Sequence, residues 1–187
     1  MSLPDKCKNI QIVLFDVDGV MTDGSIYINE SGEFFKSFNV KDGLAIELLR
    51  SHNIITGVIS GKSSLALTKR CEQLGFDEIV TGCKNKLPAL LSICSKYSLQ
   101  FDNVAFLGDD VLDIPIFDEI GISVAPSDAH NLALEHADWI TTSRGGEGMV
   151  REFTDELLIN KLGLTLMEIY KPMLDKIKND DVLFLEQ

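Results

Sequence analysis

The chain has 187 residues, 45% of them hydrophobic, enough apolar material for one domain with a real core, expected to span residues 1–187. Its formal net charge is −12, with 29 acidic residues against 17 lysines and arginines. That balance excludes a phosphate-backbone reader, so no nucleic-acid partner is expected, and an anionic substrate would need a few local cations or a metal. No apolar run reaches the length of a membrane span, so no membrane partner is expected either. The first ten residues, "MSLPDKCKNI", lack a signal-peptide pattern, and Cys7, Cys71, Cys83 and Cys94 form no C-x-x-C pair. Reduced thiols in the cytoplasm are expected. His52, His130 and His136 show no metal-binding spacing and read as structural or surface residues.

In chain order, Ile10 to Phe15 predicts a buried strand. "SIYINESGEFFKSFNV" then predicts two strands around a Ser31-Gly32 turn, a β-hairpin insertion over about residues 24–40, too small to fold as a separate lid. A helix is expected from Leu44 to Ser51, a strand from Ile54 to Ile59, and helices from Ser64 to Leu74 and Leu87 to Tyr97. Val104 to Leu107 is the next strand, followed by a helix from Leu112 to Glu119 and a short strand from Ile120 to Val124. A helix from Asn131 to His136 and a strand from Trp139 to Thr141 come after it. The tail, about 159–187, predicts one more helix, kinked or interrupted at Pro172, with Leu162, Leu166, Ile169 and Met173 on one face. Strands separated by helices predict an α/β fold: a three-layer α/β/α sandwich around a mainly parallel, Rossmann-like sheet, without a large cap domain.

Polar residues follow three of the strands. Asp16 and Asp18 follow the first, Ser60, Gly61 and Lys62 the second, and Gly108, Asp109, Asp110 and Asp113 the third; Lys86 opens the helix before that third strand. In a doubly wound sheet such ends converge on one cleft. Crowded carboxylates repel, so a cation is expected there, and oxygen ligands select Mg²⁺. With Mg²⁺ present, Asp16 is a candidate nucleophile toward phosphorus and Asp18 a candidate acid and base. Ser60 and backbone N–H groups are candidates for holding phosphate oxygens, and Lys86 for neutralising charge in the transition state. Asp23 falls outside this chemistry and is expected to serve the turn into the hairpin. "GVISGKSS" ends like a P-loop, but only three residues separate Gly57 from Gly61 where that loop needs four.

"DVDGVMTDG", Ser60, Lys86 and "GDDVLD", in that order, resemble the four motifs of the haloacid dehalogenase superfamily. The second aspartate of the first motif is carried by its phosphoryl-transferring members. The resemblance implies an aspartyl-phosphate on Asp16, acid and base work by Asp18, and Mg²⁺ held by the Asp16 carboxylate, the Asp18 main-chain carbonyl and Asp109. It implies an outlying role for Asp110, and for Asp113 the orienting of Lys86 or a helix cap.

The hairpin, "VKDG" at residues 40–43 and "RGGEGMVREF" at residues 144–153 make the chain similar to the capless 3-deoxy-D-manno-octulosonate 8-phosphate phosphatases, from about Ile10 to Leu158. That likeness implies hydrolysis of an eight-carbon sugar-acid phosphate, a step of lipopolysaccharide precursor synthesis. It implies a homotetramer assembled through the hairpins, with Lys41 and Asp42 near the cleft mouth as substrate-binding candidates beside Ser60, Gly61 and Lys62. Read without it, "VKDG" is a helix N-terminus with Asp42 as its cap, and "RGGEGMVRE" leads into the last helix. The chain departs from the family pattern at Ser60-Gly61-Lys62, where Thr-Gly-Arg is usual; lysine offers a point charge where arginine grips a carboxylate in two places. The loop "GCKNK", which ends at Lys86, and the tail length also differ. A nonulosonate 9-phosphate therefore stands as the competing substrate, and a catalytically silent tetramerisation module as the competing class.

Overall fold

The computed structural model describes residues 2–179. Helix α1 (Leu3–Asn9) leads into β1 (Ile12–Phe15), and the hairpin strands β2 (Tyr27–Asn29) and β3 (Gly32–Phe35) follow. The chain continues through α2 (Val40–Ser51), β4 (Ile55–Ile59), α3 (Leu65–Leu74), β5 (Glu78–Val80) and α4 (Leu87–Tyr97). After a single 3₁₀ turn come β6 (Val104–Leu107), α5 (Ile114–Phe117), β7 (Ile122–Ala125), α6 (Asn131–His136) and β8 (Trp139–Ile140). Helices α7 (Met149–Leu162) and α8 (Leu166–Lys178) end the described chain.

Six strands form one sheet in the order β5-β4-β1-β6-β7-β8, and every pairing is parallel. With the hairpin strands set aside, that is the 3-2-1-4-5-6 order of a doubly wound fold. Strand β1 shows why three layers form. Its four residues are all fully buried, and their side chains alternate between two cores. Val13 and Phe15 join a core made with α1, α2, α3, α7 and α8; Ile12 and Leu14 join the one made with α4, α5 and α6. A strand covered on both faces needs this continuous apolar run.

The expected sheet and hairpin are present, and the six sheet strands are parallel throughout. Two elements were not expected. Helix α1 buries only Cys7, so its sequence reads as a polar terminus. Strand β5 is three half-buried residues at the sheet edge, too short to show a period. The single tail helix is corrected to two. The break falls at Gly163, whose φ of +66° closes α7 in a left-handed cap, and Thr165 with Glu168 forms a capping box that starts α8. Pro172 lies inside α8 and does not end it. Ile169 and Met173 of the expected face are buried, whereas Leu162 and Leu166 remain exposed. The part of the tail from 180 to 187 lies outside the described residues.

Candidate active site

The sheet's strand order reverses between β1 and β6, where the two loops diverge and leave a crevice at their carboxyl ends. Asp16 follows β1 directly, and its N–H donates to Leu107 O at 2.8 Å, so register alone brings it beside the β6 loop. A cleft of about 270 Å³ opens there, lined by Asp16, Asp18, Gly24, Ser60, Gly61, Lys62, Lys86, Leu112 and the aspartates 109, 110 and 113. The residues expected at three strand ends, with Lys86, thus meet in one place.

After Asp18 the chain turns sharply. The N–H groups of Met21 and Thr22 both donate to Val17 O, at 2.9 and 3.1 Å. Gly19 sits inside this turn at φ +82°, and a Cβ on it would lie 2.0 Å from Asp109 Oδ2. Only glycine permits both the left-handed backbone and that close approach. Asp23 accepts from Ser25 N at 2.9 Å and so serves the turn into the hairpin.

Lys86 is 3% exposed and stands at the N-terminus of α4. Its Nζ lies 2.5 Å from Asp113 Oδ1 and 3.0 Å from Asp16 Oδ2. Burial works against its charge, but Asp16 and Asp113 outweigh it and raise its pKa. The other oxygen of Asp113 accepts the N–H groups of Asp109 and Asp110, at 3.0 and 3.3 Å. Asp113 is fully buried and therefore ties Lys86 to the β6 loop. Ser60 is 1% exposed. Its N–H donates to Val80 O at 2.9 Å, its carbonyl accepts Cys83 N at 3.0 Å, and its hydroxyl accepts Lys62 N at 3.3 Å. The β4 and β5 loops are thereby laced together in front of Lys86.

Carboxylates of Asp16, Asp109 and Asp113 each present an oxygen within 4.8 Å of the others, a group able to hold a metal ion. Burial raises the Asp109 pKa to about 8, and the charges of Asp16, Asp113 and Asp110 add to it. Burial likewise raises Asp16 to about 6, with Asp113 adding and Lys86 opposing. Two carboxyls held this far above their ordinary range are a cavity short of positive charge, which a divalent cation with oxygen preference fits.

Asp18 is joined by a residue that sequence reasoning missed. Lys36, at the end of β3, reaches its Oδ1 at 2.5 Å. No spacing rule flags this lysine; the hairpin must fold back before the two meet. Lys41 and Asp42 go elsewhere. Lys41 is exposed, and neither residue lines the cleft. Asp42 is 1% exposed and accepts the N–H groups of Gly148 and Arg151, at 3.2 and 2.9 Å. Asn39, not Asp42, caps α2, by accepting from Lys41 N at 2.9 Å. Asp42 instead caps α7 across the helix pair. Arg144 pairs with Asp128 and Arg151 with Asp155.

Comparison with known proteins agrees with this geometry. Residues 71–153 match the family described as haloacid dehalogenase-like hydrolase. The 3-deoxy-D-manno-octulosonate 8-phosphate phosphatase of Salmonella typhi is 41% identical over 154 residues, 82% of each chain. The crystal structure of the Yersinia pestis phosphatase of that name superposes with a TM-score of 0.83 at 38% identity, covering 85% of this chain and 86% of that one. The Moraxella catarrhalis phosphatase, solved with a magnesium ion, a phosphate ion and 3-deoxy-D-manno-octulosonate (KDO), superposes with a TM-score of 0.84 at 30% identity. It covers 93% of this chain and 97% of that one.

Proposed function

This chain belongs to the 3-deoxy-D-manno-octulosonate 8-phosphate phosphatases among the haloacid dehalogenase-like hydrolases, and from that membership we propose that it is a Mg²⁺-dependent phosphomonoesterase converting 3-deoxy-D-manno-octulosonate 8-phosphate to the free sugar acid and phosphate. The observation that carries the reading is the single cleft in which Asp16, Asp18, Ser60, Lys86 and Asp109 meet.

In the first step an Asp16 carboxylate oxygen attacks phosphorus. The bond between phosphorus and the sugar oxygen breaks, and Asp18 delivers its proton to that oxygen. In the second step water attacks the phosphorus of the aspartyl-phosphate and gives its proton to Asp18, which releases phosphate and regenerates both aspartates. Lys86 holds Asp16 in line from one side, and Asp113 holds Lys86. Ser60, the N–H group of Gly61 and the Lys62 side chain line the same cleft and would meet the phosphate oxygens. A bound Mg²⁺, held by Asp16, the Asp18 carbonyl and Asp109, supplies the positive charge that keeps Asp16 ionised beside an incoming phosphate. Asp110 supports the metal site from outside it.

We further assign a homotetramer formed through the hairpins, supported by the outward Ile28 and Phe34, 74% and 66% exposed. No described helix is long and apolar enough to cross a membrane. Cys7, Cys71, Cys83 and Cys94 are free thiols, which supports the cytoplasm.

A phosphate-release screen with Mg²⁺ tests the function. The eight-carbon sugar-acid phosphate is expected to be turned over best, ahead of a nonulosonate 9-phosphate and hexose phosphates. Asp16→Asn and chelation are each expected to abolish turnover. Preference for the nonulosonate phosphate would move the substrate and keep the mechanism, whereas activity surviving Asp16→Asn would end the mechanism.

A further inference from the structure

Lys36 is buried where a lysine is expensive. Its side chain is 1% exposed, although it ends a hairpin whose strands are otherwise largely exposed. A buried ammonium persists only with partners. It has two, Asp18 Oδ1 at 2.5 Å and Glu33 Oε2 at 3.2 Å. Among the described residues Lys36 is also the one side chain bonded to the Asp18 carboxylate. Asp18 faces the cleft.

Resting on the phosphatase reading, we propose that Lys36 is a positioning residue for the acid–base aspartate, and that it decides which carboxyl oxygen carries the proton. An ammonium group has three donors and no acceptor. The oxygen it holds, Oδ1, must therefore stay an acceptor. When Asp18 is protonated the hydrogen sits on Oδ2, the oxygen left free for the departing sugar. As the ester bond breaks, its electron pair goes to the sugar oxygen, the Oδ2 proton follows, and the new carboxylate forms against Lys36. Water later returns a proton to Oδ2, and Lys36 keeps its own throughout. The hairpin thus contributes to the chemistry through one side chain that touches neither phosphorus nor metal. Misplacing a proton donor by an ångström is enough to forfeit much of its effect.

The test compares leaving groups. A sugar or alkyl phosphate expels an alkoxide that needs the proton, whereas p-nitrophenyl phosphate expels a phenolate that does not. Specificity constants, kcat/KM, report the steps up to the aspartyl-phosphate. Lys36→Met is expected to lower kcat/KM for the alkyl ester by about tenfold to a hundredfold and to leave p-nitrophenyl phosphate within about threefold, since general acid catalysis contributes on the order of 10²–10⁴. Asp18→Asn should show the same split, and Lys36→Arg, still a pure donor, should recover part of the alkyl-ester rate. If Lys36→Met does not fold, Lys36→Gln is read by the same split. Equal losses on both esters, or none on either, would overturn the inference and leave the phosphatase intact. A wild-type protein that releases phosphate from neither ester would remove the phosphatase reading, and this inference with it.

Discussion

Asp109 carries the plainest chemical signature of the cleft at the level of single side chains. Burial, then Asp16, Asp113 and Asp110, hold its pKa at about 8, and Asp16 sits at about 6. Both values lie above the ordinary 3.8, so the folded metal-free chain keeps protons that the unfolded chain releases. The stability these protons represent is complete below pH of about 4 and is lost as pH rises through about 6 and then about 8. A cation bound to the same oxygens competes with those protons. Added Mg²⁺ is therefore expected to raise the melting temperature by several degrees at about pH 8 and by clearly less at about pH 5.5. A larger gain at the acidic pH would contradict the shared site. The aspartates themselves were legible in sequence, because Asp16 stands directly after one buried strand and Asp109 one residue beyond the end of another, where an idle carboxylate is costly. Lys36 was not. Its meeting with Asp18 crosses 18 residues and depends on how the hairpin leans, which no local pattern records.

Among the elements, α7 depends on another helix for its start. Its own N-cap is Gly148, which has no side chain to offer, and Asp42 from the first turn of α2 accepts the N–H groups of Gly148 and Arg151. Burial raises the Asp42 pKa, and the N–H groups of Arg151, Gly148 and Val150 work against that rise. Asp42→Ala would leave buried N–H groups unpaired as well as remove a cap. A loss of about 2 kcal/mol, or about 4–8 °C in melting temperature, is expected. Chemical and thermal denaturation of the purified variant would measure it. An unchanged melting temperature would mean that water replaces the carboxylate and that α7 needs no cap from α2. This is where local reading of the sequence reached its limit. "VKDG" looks like a helix start, and a helix does start there, but the aspartate in it serves a helix 106 residues away from it. Strands β1 and β6 were legible because their apolar runs are unbroken, and β4 because only Thr56 and Gly57 interrupt its run. Strand β5 and helix α1 were not, since each buries too little to leave a pattern.

At the scale of the whole molecule, an open cleft and an apolar hairpin stand side by side. A two-stranded ribbon is marginal on its own. Here Tyr27 stacks on Phe35 at 4.2 Å, and Lys36 anchors the C-terminal end of the ribbon to Asp18. The ribbon still exposes Ile26, Ile28, Phe34 and Phe35, 48%, 74%, 66% and 44% open to solvent. Exposed apolar side chains of this kind on a chain with net charge −12 support the proposed assembly, in which a second copy would supply the same surface in return. The capless cleft gives that assembly a consequence. Lys36 lies beside Phe34 and Phe35 on the same ribbon, so whatever fixes the ribbon also fixes the proton donor. Phe34→Glu places a like charge on the proposed contact surface and is expected to reduce the sedimentation mass to that of smaller species at micromolar concentration. The fold of the monomer should survive, because Phe34 contributes to neither core. The kcat/KM for an alkyl phosphate should fall together with the mass, and more steeply than that for p-nitrophenyl phosphate. A wild-type protein that sediments as a monomer would refute assembly through the hairpin. A dissociated variant with undiminished alkyl-ester turnover would show instead that each cleft works alone.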